Sequence, residues 1–96
     1  MIILFEWDPN KNKANEKKHG IQFEEAQTTF LDVNARMITD PDHSEAEERF
    51  LLLGLSEKLR LLVVCHCYRS EEGVIRIISA RKATRREWAV YEEFLV

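Results

Sequence analysis

Ninety-six residues make one domain, with 45% hydrophobic and 32% charged residues and a formal net charge of −3. This composition excludes a disordered or fibrous chain, and at this length roughly 60–68% of the unfolded surface can be buried, enough for a sheet with two or three helices. No apolar run approaches the ~18 residues of a membrane span, and Met1-Ile-Ile-Leu-Phe5 meets Glu6 and Asp8 without the basic region or cleavage site of a signal peptide, so a cytoplasmic protein is expected.

Residues 2–7 are β-branched and aromatic and predict a strand. Asp8-Pro9 then opens a helix, with Asp8 as N-cap and Pro9 in the first helical position. Gly20 closes it behind Lys17, Lys18 and His19, where cations favour the macrodipole. Ala14 is almost its only apolar residue, so this helix has no core-facing stripe. Its lysines (Lys11, Lys13, Lys17, Lys18) therefore face water or a ligand. A second, short helix fits residues 23–31, with Ala26 and Phe30 on one face and Ile21 beneath. Residues 35–39 form a short strand, and Asp40-Pro-Asp42 is a turn. Three strands follow over 49–55, 60–68 and 74–80, joined by connections of hairpin length at 56–59 and 70–73. Residues 61–67 are apolar on both faces, as a central strand must be. Thr84-Arg-Arg-Glu87 is a capping box that starts a last helix, with Trp88, Tyr91 and Leu95 as its expected buried stripe. Five strands and three helices make a single α+β domain over residues 1–96.

Charge is unevenly placed: residues 1–57 carry a net −6 and residues 58–96 a net +3. Between Arg69 and Arg86 six basic residues (Arg69, Arg76, Arg81, Lys82, Arg85, Arg86) face only Glu71 and Glu72. A strand-to-helix corner dense in guanidinium groups suits bidentate contact with phosphate oxygens, and the free N–H groups of the helix start add to it. A solubilising surface, with each arginine in an ion pair to Glu71, Glu87 or Glu92, is the simpler reading of the charge alone. Arg76 shares a face with Val74 and Ile78, whereas Arg81 continues the line of Ile75, Ile77 and Ser79.

His66 stands out in the apolar strand, on one face with Leu62, Val64 and Tyr68. It reads either as a core histidine satisfied by a hydrogen bond or as a general acid or base near the sheet's rim. Cys65 and Cys67, two apart on one face, are poorly placed for a disulfide and read as buried thiols. Cys-His-Cys is no metal site, because His66 points to the other face and no second ligand pair exists. His43 and Glu47 could pair as acid and base, but Asp42, Glu45 and Glu48 crowd them into a solvated acidic loop. With glycine only at 20, 54 and 73, nucleotide-binding fingerprints are excluded, and no metal or other cofactor is expected. The chemistry that suits this basic set is metal-independent RNA cleavage, in which a 2′-hydroxyl attacks its own phosphate while cations neutralise the transition state.

Residues 5–26 (Phe5-Glu-Trp-Asp-Pro-Asn-Lys-Asn-Lys through Gly20-Ile-Gln-Phe-Glu-Glu-Ala26), Asp42-His-Ser44 with Glu48-Arg49, and Ile75-Arg-Ile-Ile-Ser-Ala-Arg81 with Glu87 and Tyr91 closely resemble the BrnT family of bacterial toxins. The resemblance covers almost the whole chain. It implies a RelE-like α+β fold, a small mixed, mostly antiparallel sheet of about five strands flanked by three helices. It also implies the toxin half of a type II toxin–antitoxin pair, neutralised by a BrnA-like antitoxin with a DNA-binding domain. The complex would be 2:2 and would reach operator DNA only through the antitoxin. By position, the family's basic strand residues fall on Arg69, Arg76 and Arg81, and its late helix aromatic on Tyr91. His66-Cys67-Tyr68 departs from the ordinary polar-aromatic pattern there, so a catalytic His66 rests on its chemistry and not on the resemblance.

These readings converge on an RNA endonuclease toxin that arrests translation and growth. Arg69 and Arg81 would bind the scissile phosphate, and Arg76 would stabilise it or orient Glu87. His66 is the proton-transfer candidate, and Lys17, Lys18, Lys82, Arg85 and Arg86 would follow the RNA backbone. The rival is a toxin-like binding module without catalysis that engages an antitoxin and aids operator repression.

Overall fold

The computed structural model describes residues 3–39, 48–69 and 73–95. The predicted turn at Asp40-Pro-Asp42, the His43–Glu47 pair and most of the 70–73 connection lie outside the described residues. The elements run β1 (Leu4–Glu6), α1 (Pro9–His19), α2 (Phe23–Ala26) continued by a 3₁₀ turn (Gln27–Leu31), β2 (Arg36–Ile38), β3 (Phe50–Leu55), β4 (Leu61–Tyr68), β5 (Val74–Lys82) and α3 (Arg85–Glu93). One open sheet has the order β1-β5-β4-β3-β2, with β1 parallel to β5 and every other pair antiparallel. The expected architecture of three helices on a mostly antiparallel five-stranded sheet is therefore the observed one.

β4 is central, and residues 61–67 are buried throughout, as their two-sided apolar character requires. On one face Leu62, Val64, Ile77 and Ala80 pack under Ile21, Phe23 and Ala26, with Phe5, Trp7 and Phe30 at the margin. On the other face Leu53, Leu61 and Val63 pack against Tyr91 of α3. Gly54 faces the 3₁₀ turn at close range: an added Cβ would lie 3.0 Å from the Thr29 carbonyl and 3.2 Å from the Ala35 Cβ.

α1 is capped as its ends dictate. The Asp8 carboxylate accepts from the Asn10 N–H at 2.8 Å, and Gly20 takes a left-handed φ of +73° while its N–H returns to Glu16 O. The helix attaches to the sheet by a polar peg. Asn15, its single buried residue, donates to the carbonyls of Ile21 (2.8 Å) and Ala80 (2.9 Å) and accepts from the Ala80 N–H (3.1 Å).

Two carboxylates, the buried Glu25 and the half-buried Asp32, fasten the rest. Glu25, its side chain 2% exposed, is gripped by both arms of the Arg60 guanidinium and accepts from the Ser56 hydroxyl at 2.6 Å. The Arg60 hydrogen bonds hold its carboxyl below the usual range, outweighing burial. Asp32 accepts from the Leu55 and Asn34 N–H groups and from the Tyr91 hydroxyl at 2.6 Å. Burial pushes Asp32 up, but these three donors together hold it low.

The expected stripe on α3 is corrected. Only Tyr91 is buried, whereas Trp88 is 39% and Leu95 48% exposed. α3 ends at Glu93, before Leu95, and it covers one end of the sheet face only. The capping box is present as read, with Thr84 Oγ accepting from the Glu87 N–H and Glu87 from the Thr84 N–H. Both cysteines are buried thiols outside any disulfide.

Candidate functional site

Strict alternation along β5 puts Arg76 and Arg81, five residues apart, on opposite faces. The pairing with β4 shows otherwise. His66 faces Ile77 and Cys65 faces Ser79, so Ile78 is an extra residue in β5, a β-bulge. Cross-strand partners point to one face. Cys67 pairs Arg76, Cys65 pairs Ser79 and Val63 pairs Arg81, so all six lie on the α3 face. Ala80, not Arg81, continues the buried line of Ile75 and Ile77.

α3 covers only the Leu53–Val63 end of that face. Beyond it lies a charged strip over the cysteines. Glu6, on the same face through its pairing with Arg76, accepts from Arg76 Nη1 at 2.8 Å and lies 3.4 Å from Arg69 Nε. At the α3 end, Arg81 forks onto Glu87 with two hydrogen bonds of 2.8 and 2.9 Å. That fork, with the Thr84 N–H, draws the Glu87 carboxyl down to about 2. Arg81 keeps 40% of its side chain exposed, against 20% for Glu87. The cation thus remains open to a ligand while its counter-ion holds it in place. Expected roles exchange here: Glu87 is oriented by Arg81, and Arg76 is held by Glu6.

The other sequence candidates divide. Lys18 lines a cleft of about 220 Å³ with Lys11, Ala14, Asn15, His19, Ile78 and Ser79, so it borders the bulge and the arginine face. Lys17 is exposed on the same helix turn, and Lys82, Arg85 and Arg86 are exposed around the α3 N-terminus.

His66 is not brought to the arginines. It is fully buried on the opposite face, edge-on to Phe30 at 4.9 Å and to Tyr68 at 5.5 Å. Its Nδ1 lies 3.1 Å from Val64 O, and its buried Nε2 has no hydrogen-bond partner among the described residues. Burial pushes its pKa down, so the ring is neutral, with Nδ1 as the donor to Val64. Tyr91 is buried with its hydroxyl committed to Asp32. Burial, then the Asp32 carboxylate, pushes its phenol up to about 12.

Glu6 and Ser79 are site residues that the sequence reading missed. Glu6 was legible only as one polar residue in a short strand, and its partners lie 63 and 70 positions away along the chain (Arg69, Arg76).

Comparison with known proteins bears on this geometry. The family model described as "Ribonuclease toxin, BrnT, of type II toxin-antitoxin system" matches residues 7–87. The crystal structure of the Brucella abortus ribonuclease toxin BrnT is similar in fold, with a TM-score of 0.63 and 22% sequence identity, over 88% of this chain and 99% of that one. The comparison with curated proteins gave no match.

Proposed function

The chain belongs to the BrnT family of ribonuclease toxins of type II toxin–antitoxin systems, and from that premise we propose that it is a metal-independent RNA endonuclease working on the open sheet face. The single observation that carries this reading is the bulge at Ile78, which gathers Arg76 and Arg81 onto one exposed face beside Arg69. In the proposed reaction Arg69 and Arg81 hold the scissile phosphate and Arg76 stabilises the charge that builds on it. The guanidinium groups supply the positive charge that other nucleases recruit from a divalent ion. Glu6, set between Arg69 and Arg76, takes the proton of the 2′-hydroxyl. The O2′–P bond forms, the P–O5′ bond breaks, and the departing 5′ oxygen is protonated by water. Glu6 replaces His66 in this role because His66 is enclosed on the far face. Tyr91 acts as a positioning residue: its bond to Asp32 anchors α3, and with it Glu87, beside Arg81. Lys17, Lys18, Lys82, Arg85 and Arg86 flank the RNA backbone.

The same reading includes a partner. A BrnA-like antitoxin with carboxylates on its contact segment covers this basic face and occupies the RNA path. The complex is 2:2 and cytoplasmic, with operator DNA reached through the antitoxin alone. Growth arrest follows from cleavage when the antitoxin is lost. The test is purified protein with naked RNA, with and without chelator, on a denaturing gel. Cleavage that survives chelation and leaves 2′,3′-cyclic phosphate and 5′-hydroxyl ends is expected. Activity lost in chelator and restored by Mg²⁺ refutes the mechanism, and intact RNA with normal antitoxin binding leaves the binding-module alternative.

A further inference from the structure

The exposed indole of Trp88 is unusual for this helix, whose other large apolar residue within its span, Tyr91, is buried. Trp88 stands perpendicular to Tyr91, with ring centres 6.1 Å apart and planes at 89°, so that neighbour takes at most one face of the indole. It walls a cavity of about 260 Å³ with Arg60, Leu61, Lys82 and Ala83. That is below the roughly 300–1,000 Å³ of a drug-sized ligand site and suits one planar ring system. Two lining residues are cationic: Arg60 is neutralised by Glu25, whereas Lys82 has no ion-pair partner among the described residues, and neither have Arg85 and Arg86 in the first turn of α3. The cavity adjoins the arginine face at the end of β5: Lys82 follows Arg81 but pairs with Leu62 and so points to the opposite face, while Trp88 follows Glu87, the residue that grips Arg81.

We propose that this cavity is a nucleobase subsite, in which one base of the RNA stacks on Trp88 while its phosphate meets Lys82 and the first turn of α3. The inference rests on the ribonuclease reading and adds to it a residue that selects and seats the substrate. A planar aromatic wall with an unpaired cation beside it is the pairing that single-stranded nucleic acid uses, base on ring and phosphate on charge. An acidic peptide would use the cations and leave the ring idle, so RNA is the occupant the chemistry favours.

The experiment uses a short, fluorescein-labelled 2′-O-methyl RNA, which cannot be cleaved, and a series carrying one abasic position each. Binding is read by anisotropy. Indole emission is read in a Trp7→Phe background, where Trp88 is the remaining tryptophan. RNA should quench that emission, and one abasic position should weaken binding roughly ten- to a hundredfold. Trp88→Ala should weaken the intact RNA by the same factor and erase the abasic effect, while Trp88→Phe keeps part of the affinity. In cleavage assays Trp88→Ala should raise KM more than it lowers kcat. RNA that binds without quenching, and equally well at every abasic position, overturns the subsite and leaves the arginine face intact. RNA that does not bind at all overturns both. Loss of antitoxin affinity in Trp88→Ala with RNA affinity unchanged assigns the cavity to the antitoxin and overturns it as well. The abasic series on the unsubstituted indole decides the matter even if Trp88→Ala fails to fold.

Discussion

Removing the guanidinium from Arg60 should expose how much the fold depends on one buried carboxylate. Glu25 is 2% exposed at its side chain and is held by two arms of Arg60 and by Ser56. In Arg60→Ala it stays buried with one hydroxyl donor. Breaking a buried pair by deleting one partner costs ~3–5 kcal/mol. Arg60 itself is 32% exposed, so water can reach part of the gap and the lower end, about 3 kcal/mol, applies. Domains of this class have a total of ~5–15 kcal/mol, so the loss should be visible as a fall in Tm of roughly 10–20 °C. The pH dependence carries a sign. In the parent the Glu25 pKa lies below its ordinary 4.5, so the pair's contribution is present above that value and is lost as pH falls through the lowered one. In Arg60→Ala burial prevails and the pKa rises, so the variant is penalised at neutral pH and relieved as Glu25 takes a proton. Urea denaturation followed by circular dichroism at pH 7 and near pH 4.5 measures both effects, and Glu25→Gln in the Arg60→Ala background should recover most of the loss. A deficit below about 1 kcal/mol at pH 7, or one that does not shrink in acid, refutes the reasoning.

Arg81→Ala should lower cleavage by roughly two to three decades, the usual consequence of losing one transition-state contact, with an unchanged circular dichroism spectrum. A folded variant as active as the parent would make Arg81 a surface charge only. Gly54→Ala should cost ~1–3 kcal/mol because the added methyl meets backbone and the Ala35 methyl, read as a shift of the urea midpoint. His66 is neutral in the fold with its pKa lowered by burial, so stability should decline as pH falls below its ordinary ~6.5. His66→Phe should flatten that part of the profile, and a profile identical to the parent's would show that His66 does not titrate on unfolding.

Most of the fold was legible because its signals are local. Asp8, Gly20 and the Thr84–Glu87 box mark helix ends within four residues, and the two-sided apolar run at 61–67 marks the central strand. The candidate site was only half legible. Arginine density pointed to the right strand, but one inserted residue at Ile78 changed which face Arg81 occupies, and nothing in residue type announces a bulge. Pairing across long separations was equally hidden, as in Glu6 with Arg69 and Arg76, or Glu25 with Arg60. The α3 stripe was misjudged because periodicity shows which residues align, not how far the opposing sheet extends to meet them.

The peg formed by Asn15 has a consequence for how the molecule keeps to itself. β5 has nine residues, yet β1 pairs with only Val74, Ile75 and Arg76, so among the described residues the rest of that border of the sheet has no strand beside it. An open strand border offers a ready template to any extended chain, including a second copy of this one. The Asn15 amide presents one donor and one acceptor to Ala80, as the backbone of a neighbouring strand would, and thereby blocks the border at its middle. A helix with no greasy stripe can serve here because its task is closure and not cohesion. The lysines on its outer turns complete the arrangement: they leave solvated charge where an incoming strand would have to lie.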